Sequence, residues 1–291
     1  MTFEPLTPLS GRVKAARKLT RRSVRAEQRL FLAEGAKALT EAMHVPAGVV
    51  EVFATEAASE QYAAMRKAVD DGGVPWFPVT EDAIASLSGA VTPQGVVAVC
   101  RFLDVGLDNV LNPPVVEERG TGVSSPLLPT VVICADVRDP GNAGTVIRLA
   151  DAAGAAGVIL AGDSVDAFNP KTIRASAGSV FHLPVARAAD TAALLDELTA
   201  AGMSVLATTG AAELDLDAAA ADGILDLPTA WLFGSEAHGL PDELLARADE
   251  AVRVPIYGHA ESLNLASAAA ICLYASASAQ RRAGGGAVVT D

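Results

Sequence analysis

Five polar side chains stand in three short glycine-bearing segments of the C-terminal half. They are Asn142 and Arg148 in Asp139-Pro-Gly-Asn-Ala-Gly-Thr-Val-Ile-Arg148, Glu236 in Leu232-Phe-Gly-Ser-Glu-Ala-His-Gly-Leu-Pro241, and Ser262 and Asn264 in Val254-Pro-Ile-Tyr-Gly-His-Ala-Glu-Ser-Leu-Asn-Leu265. A guanidinium can hold a phosphate or a developing alkoxide. Amides, a hydroxyl and a carboxylate can orient it and a polar substrate. Each segment also has a plain structural reading. After Asp139-Pro140, Asn142 suits a helix N-cap, with Arg148 on the face of Thr145. Glu236 can cap the helix that starts at Pro241-Asp242, and Ser262 can cap a helix over residues 263–282. Capping does not explain Asn264, a poor helix former in that first turn. The first segment lacks Gly-x-Gly-x-x-Gly spacing, which argues against a dinucleotide site.

Something must bring these segments together. Val131–Val137, Val158–Ala161, His182–Ala186, Ser204–Thr208, Trp231–Phe233 and Glu250–Val254 read as strands separated by helices. Their continuous apolar runs suit parallel strands covered on both faces. Such a sheet places its ligand site at the strands' carboxyl ends, where all three segments fall. This second domain spans 130–282. A first α/β domain spans 1–105, with strands over Arg29–Gly35, Val49–Ala54, Trp76–Val79 and Gly95–Arg101. Residues 106–129, rich in Pro and Gly, read as a linker. Residues 283–291 read as a disordered tail.

Taken in order, the three segments resemble the signature motifs of the SpoU/TrmH branch of the SPOUT RNA methyltransferases. Asn142 to Arg148 follows Asn-x-Gly-x-x-x-Arg, and Phe233 to Gly239 follows Phe-Gly-x-Glu-x-x-Gly. Ser262 to Ala266 follows Ser-Leu-Asn-Val-Ser, departing at Ala266; His238 departs where small residues are usual. Phe31-Leu-Ala-Glu-Gly35 is similar to the N-terminal substrate-binding domain of such enzymes, a fold like that of a small RNA-binding ribosomal protein.

The resemblance implies a SPOUT α/β fold, a parallel sheet with a deep trefoil knot. It implies methyl transfer from S-adenosylmethionine to a ribose 2′-hydroxyl of RNA by a homodimer. Asn142, Arg148, Glu236, Ser262 and Asn264 would form the catalytic site. Thr208, Thr209, Gly210, Phe233, Gly234, Val254, Ile256, Leu263 and Leu265 would hold the cofactor, with Gly234 leaving room for it. The family's arginine is often assigned as general base. Guanidinium hardly loses its proton, so an anchor for phosphate and alkoxide is the other reading. The separate N-terminal domain favours ribosomal RNA over tRNA; a noncatalytic RNA-binding or assembly protein is the remaining alternative.

The chain has 291 residues, 51% hydrophobic and 4% aromatic, and a net charge of −13. That balance argues against a nucleic-acid partner overall. However, Arg12, Lys14, Arg17, Lys18, Arg21, Arg22, Arg25 and Arg29 gather around the lone acid Glu27. A local basic block is what a phosphate backbone meets, so residues 12–25 are expected to contact RNA. Lys171 and Arg174 read either as helix surface or as further RNA contacts. Cys100, Cys134 and Cys272 lack paired spacing and read as reduced core residues, with no metal implied. No signal peptide or membrane span is expected, which suits a cytoplasmic protein.

Overall fold

The computed structural model describes residues 4–111 and 128–284. By its contacts the chain divides into two compact units, Met1–Leu103 with Asp166–His182, and Asp104–Val165 with Leu183–Asp291.

The first unit opens with helices α1 (Gly11–Lys18) and α2 (Arg22–Gln28). Then follow β1 (Leu30–Glu34), α3 (Ala36–Met43), β2 (Val49–Ala54), α4 (Glu56–Gln61), α5 (Ala63–Asp71), β3 (Trp76–Pro78), α6 (Glu81–Leu87) and β4 (Val96–Arg101). The strands form a sheet of order β1-β4-β2-β3, with β1 and β2 antiparallel to β4 and β3 parallel to β2. Val13, Ala16 and Leu19 recur every third residue along α1 and its end. They pack into a core with Phe53, Ile84, Leu87 and Val97, leaving the helix's basic residues outside.

One cation leaves that basic face. Arg25 was expected to meet RNA, yet it is only 1% exposed. Its Nε and Nη2 donate to Asp166 Oδ2 at 3.0 and 2.6 Å, and Nη1 donates to the carbonyls of Leu19 and Thr20 at 2.9 and 2.8 Å. Those carbonyls close the end of α1, where a cation is favoured. The segment 166–182, expected with the second domain, therefore belongs by its contacts to the first. Phe168 and Phe181 lie against Phe31, with ring centroids 4.8 and 6.0 Å away.

The second unit continues with β5 (Asp104–Val105), α7 (Leu107–Leu111), β6 (Thr130–Ala135), α8 (Pro140–Ala153) and β7 (Gly157–Ala161). After α9 (Pro170–Ser176) of the first unit come β8 (Val185–Ala188), α10 (Thr191–Ala200), β9 (Ser204–Thr208), β10 (Leu214–Asp215) and α11 (Leu216–Ala221). The chain then forms β11 (Thr229–Phe233), α12 (Asp242–Leu245), β12 (Glu250–Arg253) and α13 (Leu265–Gly284). Part of the expected linker is thus structured, because α7 falls within it and Val110 is fully buried, while Asp104–Val105, expected at the end of the first domain, pairs with β8 of the second unit. Residues 112–127 and the tail beyond 284 lie outside the described residues.

Eight strands make one sheet of order β10-β12-β9-β11-β6-β7-β8-β5, every neighbouring pair parallel. Residues of β6, β7 and β11 are almost wholly buried, which explains their unbroken apolar sequences. Trp231 Nε1 donates to Ser276 Oγ at 2.9 Å, tying α13 to β11 with both groups fully buried.

Candidate functional site

Four adjacent strands, β12, β9, β11 and β6, end on one side of the parallel sheet, so the loops that follow them are neighbours in space. Those loops carry the three segments and the Thr208–Gly210 turn. Between them lies a cavity of about 490 Å³, within the usual range for small-molecule sites. Thr208, Thr209, Gly210, Phe233, Gly234, Val254, Ile256, Leu263 and Leu265 all line it, together with Glu236, Ser262 and Asn264. Ser235, Gly239, Leu240, Val252, Glu261 and Ala268 line it too. None of these six was expected at the site, although Ser235, Gly239, Leu240 and Glu261 sit inside the three segments.

The polar residues are joined in one direction. At the start of α13, Ala266 N donates to Asn264 Oδ1 at 2.9 Å. Asn264 Nδ2 donates to Asn142 Oδ1 at 3.2 Å, and Asn142 Nδ2 donates to Glu236 Oε1 at 2.5 Å. All three segments thus meet in a single hydrogen-bonded line. Three capping expectations need correction, the first being Glu236, since α12 has Pro241 at its N-cap and no side-chain cap. The cap of α8 is Asp139, whose side chain accepts from Asn142 N at 2.9 Å. That frees the Asn142 amide for Glu236. The helix α13 starts at Leu265, so Asn264 caps it and Ser262 stands exposed in the preceding loop.

Gly234 has a reason within the chain itself. A Cβ there would lie 2.4 Å from the carbonyl carbon and oxygen of Gly239 and 2.7 Å from Leu240 N. The Gly234–Leu240 turn, closed by Ser235 N to Gly239 O at 3.2 Å and Gly239 N to Ser235 O at 2.8 Å, needs that approach. This packing presents Glu236 to the cavity.

Arg148 is exposed on α8, outside the cavity wall, and makes no hydrogen bond or ion pair among the described residues. It lies six residues beyond Asn142, about 9 Å along the helix axis. Beneath the site, burial first and Glu236 second push the Cys134 thiol up to about 12, so it stays protonated and unreactive. No group of side chains able to hold a metal ion occurs among the described residues.

On the first unit, Lys14, Arg17, Lys18, Thr20 and Arg21 line a separate cleft. Lys14, Arg17, Lys18, Arg21 and Arg22 form no ion pair among the described residues. Arg12 instead pairs with Glu51 at 2.5 Å and lies 4.3 Å over the Phe77 ring. Arg174 reaches Glu34 at 3.5 Å, and Lys171, in the first turn of α9, has a partner of its own.

With this geometry in place, the comparison with known proteins is direct. Residues 129–274 match the SpoU rRNA Methylase family, and residues 11–98 match the MRM3-like substrate binding domain. The chain belongs to the SpoU rRNA methylase family. The 23S rRNA (guanosine(2553)-2′-O)-methyltransferase RlmP of Bacillus subtilis is 34% identical over 267 residues, 90% of this chain and 94% of its own. The AdoMet-bound rRNA methyltransferase from Sinorhizobium meliloti superposes with a TM-score of 0.76 at 34% identity, covering 94% of this chain and 97% of that one. The SpoU methyltransferase AviRb from Streptomyces viridochromogenes, in complex with AdoMet, gives 0.77 at 27% identity, with 94% and 100% covered. The SpoU fold of this chain is therefore the SPOUT α/β arrangement with a smaller N-terminal α/β unit.

Proposed function

We propose that this SpoU methylase transfers a methyl group from S-adenosylmethionine to a ribose 2′-hydroxyl of ribosomal RNA. The observation that carries the reading is the line Asn264–Asn142–Glu236 at the edge of the 490 Å³ cavity. RlmP and the Sinorhizobium meliloti enzyme are named as rRNA methyltransferases, and two of the matched structures hold the cofactor. The cavity suits that group. Leu240, Val252, Val254, Ile256, Leu263 and Leu265 give an apolar wall for an adenine, while Thr208, Thr209 and Ser262 offer polar contacts. Bound there, the sulfonium supplies an activated methyl.

The chain's own residues then position and deprotonate the acceptor. Asn142 and Asn264 orient the reacting ribose, and Ser262 donates to it. Arg148, exposed and without a partner among the described residues, is suited to hold an adjacent phosphate of the RNA and the developing alkoxide as a permanently charged fork. The unpaired cations of α1 and the turn after it would bind more of the phosphate backbone. Further parts of the reading are a homodimer built on the exposed Ile271 and Tyr274 of α13, a knotted C-terminal threading and action in the cytoplasm. No helix among the described residues is long and apolar enough to cross a membrane.

The test is transfer of labelled methyl from S-adenosylmethionine to rRNA, with the modified ribose mapped by primer extension, for wild type and Arg148→Ala. Wild type should mark a single ribose. Arg148→Ala should abolish turnover while S-adenosylhomocysteine binds as before. Turnover retained in Arg148→Ala would remove the arginine from the mechanism, and label on a base instead of a ribose would remove the 2′-O assignment.

A further inference from the structure

The proton of the ribose hydroxyl needs an acceptor, and the arginine of the motifs is a poor one, because guanidinium stays charged. The cavity wall narrows the choice. Among its lining residues there is no histidine, lysine, aspartate, cysteine or tyrosine; the groups able to take a proton at neutral pH are the carboxylates of Glu236 and Glu261. Glu261 stands in the exposed 254–264 loop, with no hydrogen bond or ion pair among the described residues. Nothing there fixes its carboxylate.

Glu236 differs. One oxygen, Oε1, accepts from Asn142 Nδ2 at 2.5 Å. The donors run from the backbone N–H of Ala266 through Asn264 and Asn142, so each amide is turned with its NH₂ toward the carboxylate. A group held by a donor in this sense is held as an acceptor. The second oxygen, Oε2, accepts no hydrogen bond among the described residues. The tight turn that needs Gly234 against Gly239 keeps the side chain at the cavity wall. The result is an oriented carboxylate with one oxygen tied and one oxygen free, beside the cavity assigned to the methyl donor.

We infer that Glu236 is the general base of the reaction, with Oε2 receiving the 2′-hydroxyl proton, an inference that rests on the methyltransferase reading above. As the ribose oxygen forms its bond to the methyl carbon, the proton passes to Oε2. The carbon–sulfur bond breaks with its electron pair kept by sulfur, leaving a neutral thioether, a methyl ether and a protonated Glu236. That proton then leaves to water. Arg148 keeps its proton throughout and stabilises charge.

The experiment is Glu236→Gln. Glutamine keeps the side-chain shape and an oxygen for Asn142 Nδ2, and removes only basicity. Single-turnover methyl transfer to rRNA should fall by roughly 10²- to 10⁴-fold, the usual contribution of a general base. Calorimetry should show S-adenosylhomocysteine affinity within about threefold of wild type, because glutamine keeps the side-chain shape and the contact to Asn142. In Glu236→Ala, added formate should restore part of the rate by standing in for the lost carboxylate. A Glu236→Gln enzyme with turnover within a few-fold of wild type would overturn the inference. So would a rate loss matched by an equal loss of S-adenosylhomocysteine affinity, which would make Glu236 a cofactor or loop contact. A wild type that binds S-adenosylhomocysteine but methylates no RNA would instead strike the underlying methyltransferase reading, so the two failures are distinguishable.

Discussion

Asn264 donates a hydrogen bond to Asn142 across 122 residues of chain. The two amides have unequal local duties. Asn264 also caps α13 through Ala266 N, while the backbone N–H of Asn142 is already held by Asp139. Both contribute to one line that ends on Glu236. Asn264→Ala should therefore lower stability by about 1 kcal/mol, the usual cost of a lost cap. Asn142→Ala should leave the melting temperature nearly unchanged. Each should lower kcat, and the double variant should fall short of the product of the two losses, with a coupling of about 0.5–3 kcal/mol. Fully additive effects on kcat would mean that the two amides act separately.

The Gly234 backbone explains why a carboxylate can stand on so short a turn. Any side chain at 234 meets backbone atoms of Gly239 and Leu240, which cannot rotate away. Gly234→Ala should cost about 1–3 kcal/mol, as overpacked sites do, and should lower both S-adenosylhomocysteine affinity and kcat by spreading the turn. Gly210 is the control. It lines the same cavity, but a Cβ there meets nothing within 4 Å. Gly210→Ala should leave thermal stability within about 0.5 kcal/mol of wild type. Equal stability in the two variants would show that the turn relaxes at no cost.

Much of this is legible in the amino-acid sequence. The strands of the parallel sheet declare themselves because burial on both faces demands unbroken apolar runs, as in Val131-Val-Ile-Cys-Ala135. The cavity residues were legible because a parallel sheet fixes where its loops gather, and the motifs name the loops. What stayed hidden depends on partners remote in sequence. Nothing in Arg25 distinguishes it from Arg21 or Arg22 until Asp166 is brought beside it. Phe168 and Phe181 look like ordinary core residues of the second domain until Phe31 collects them. Ser262 is as good a capping residue as Asn264 by type, and only the observed start of α13 decides between them.

The same distinction between paired and unpaired cations sets how RNA binding should respond to salt. Lys14, Arg17, Lys18 and Arg21 line one cleft without ion pairs among the described residues, so each can release counterions from a phosphate backbone. Replacing all four by alanine should weaken rRNA binding and flatten the plot of log K against log salt by about 3 units, near 0.7–0.9 per lost contact. Arg25 should behave differently. Its side chain is buried on Asp166, so Arg25→Ala should leave the slope unchanged in whatever protein remains folded. It should also destabilise the first unit by about 3–5 kcal/mol, because a buried carboxylate loses its partner. Filter binding across a salt series, with urea unfolding alongside, reads both effects. A quadruple variant with the wild-type slope would take α1 out of the RNA contact, and a reduced slope in Arg25→Ala would mean that Arg25 meets phosphate after all.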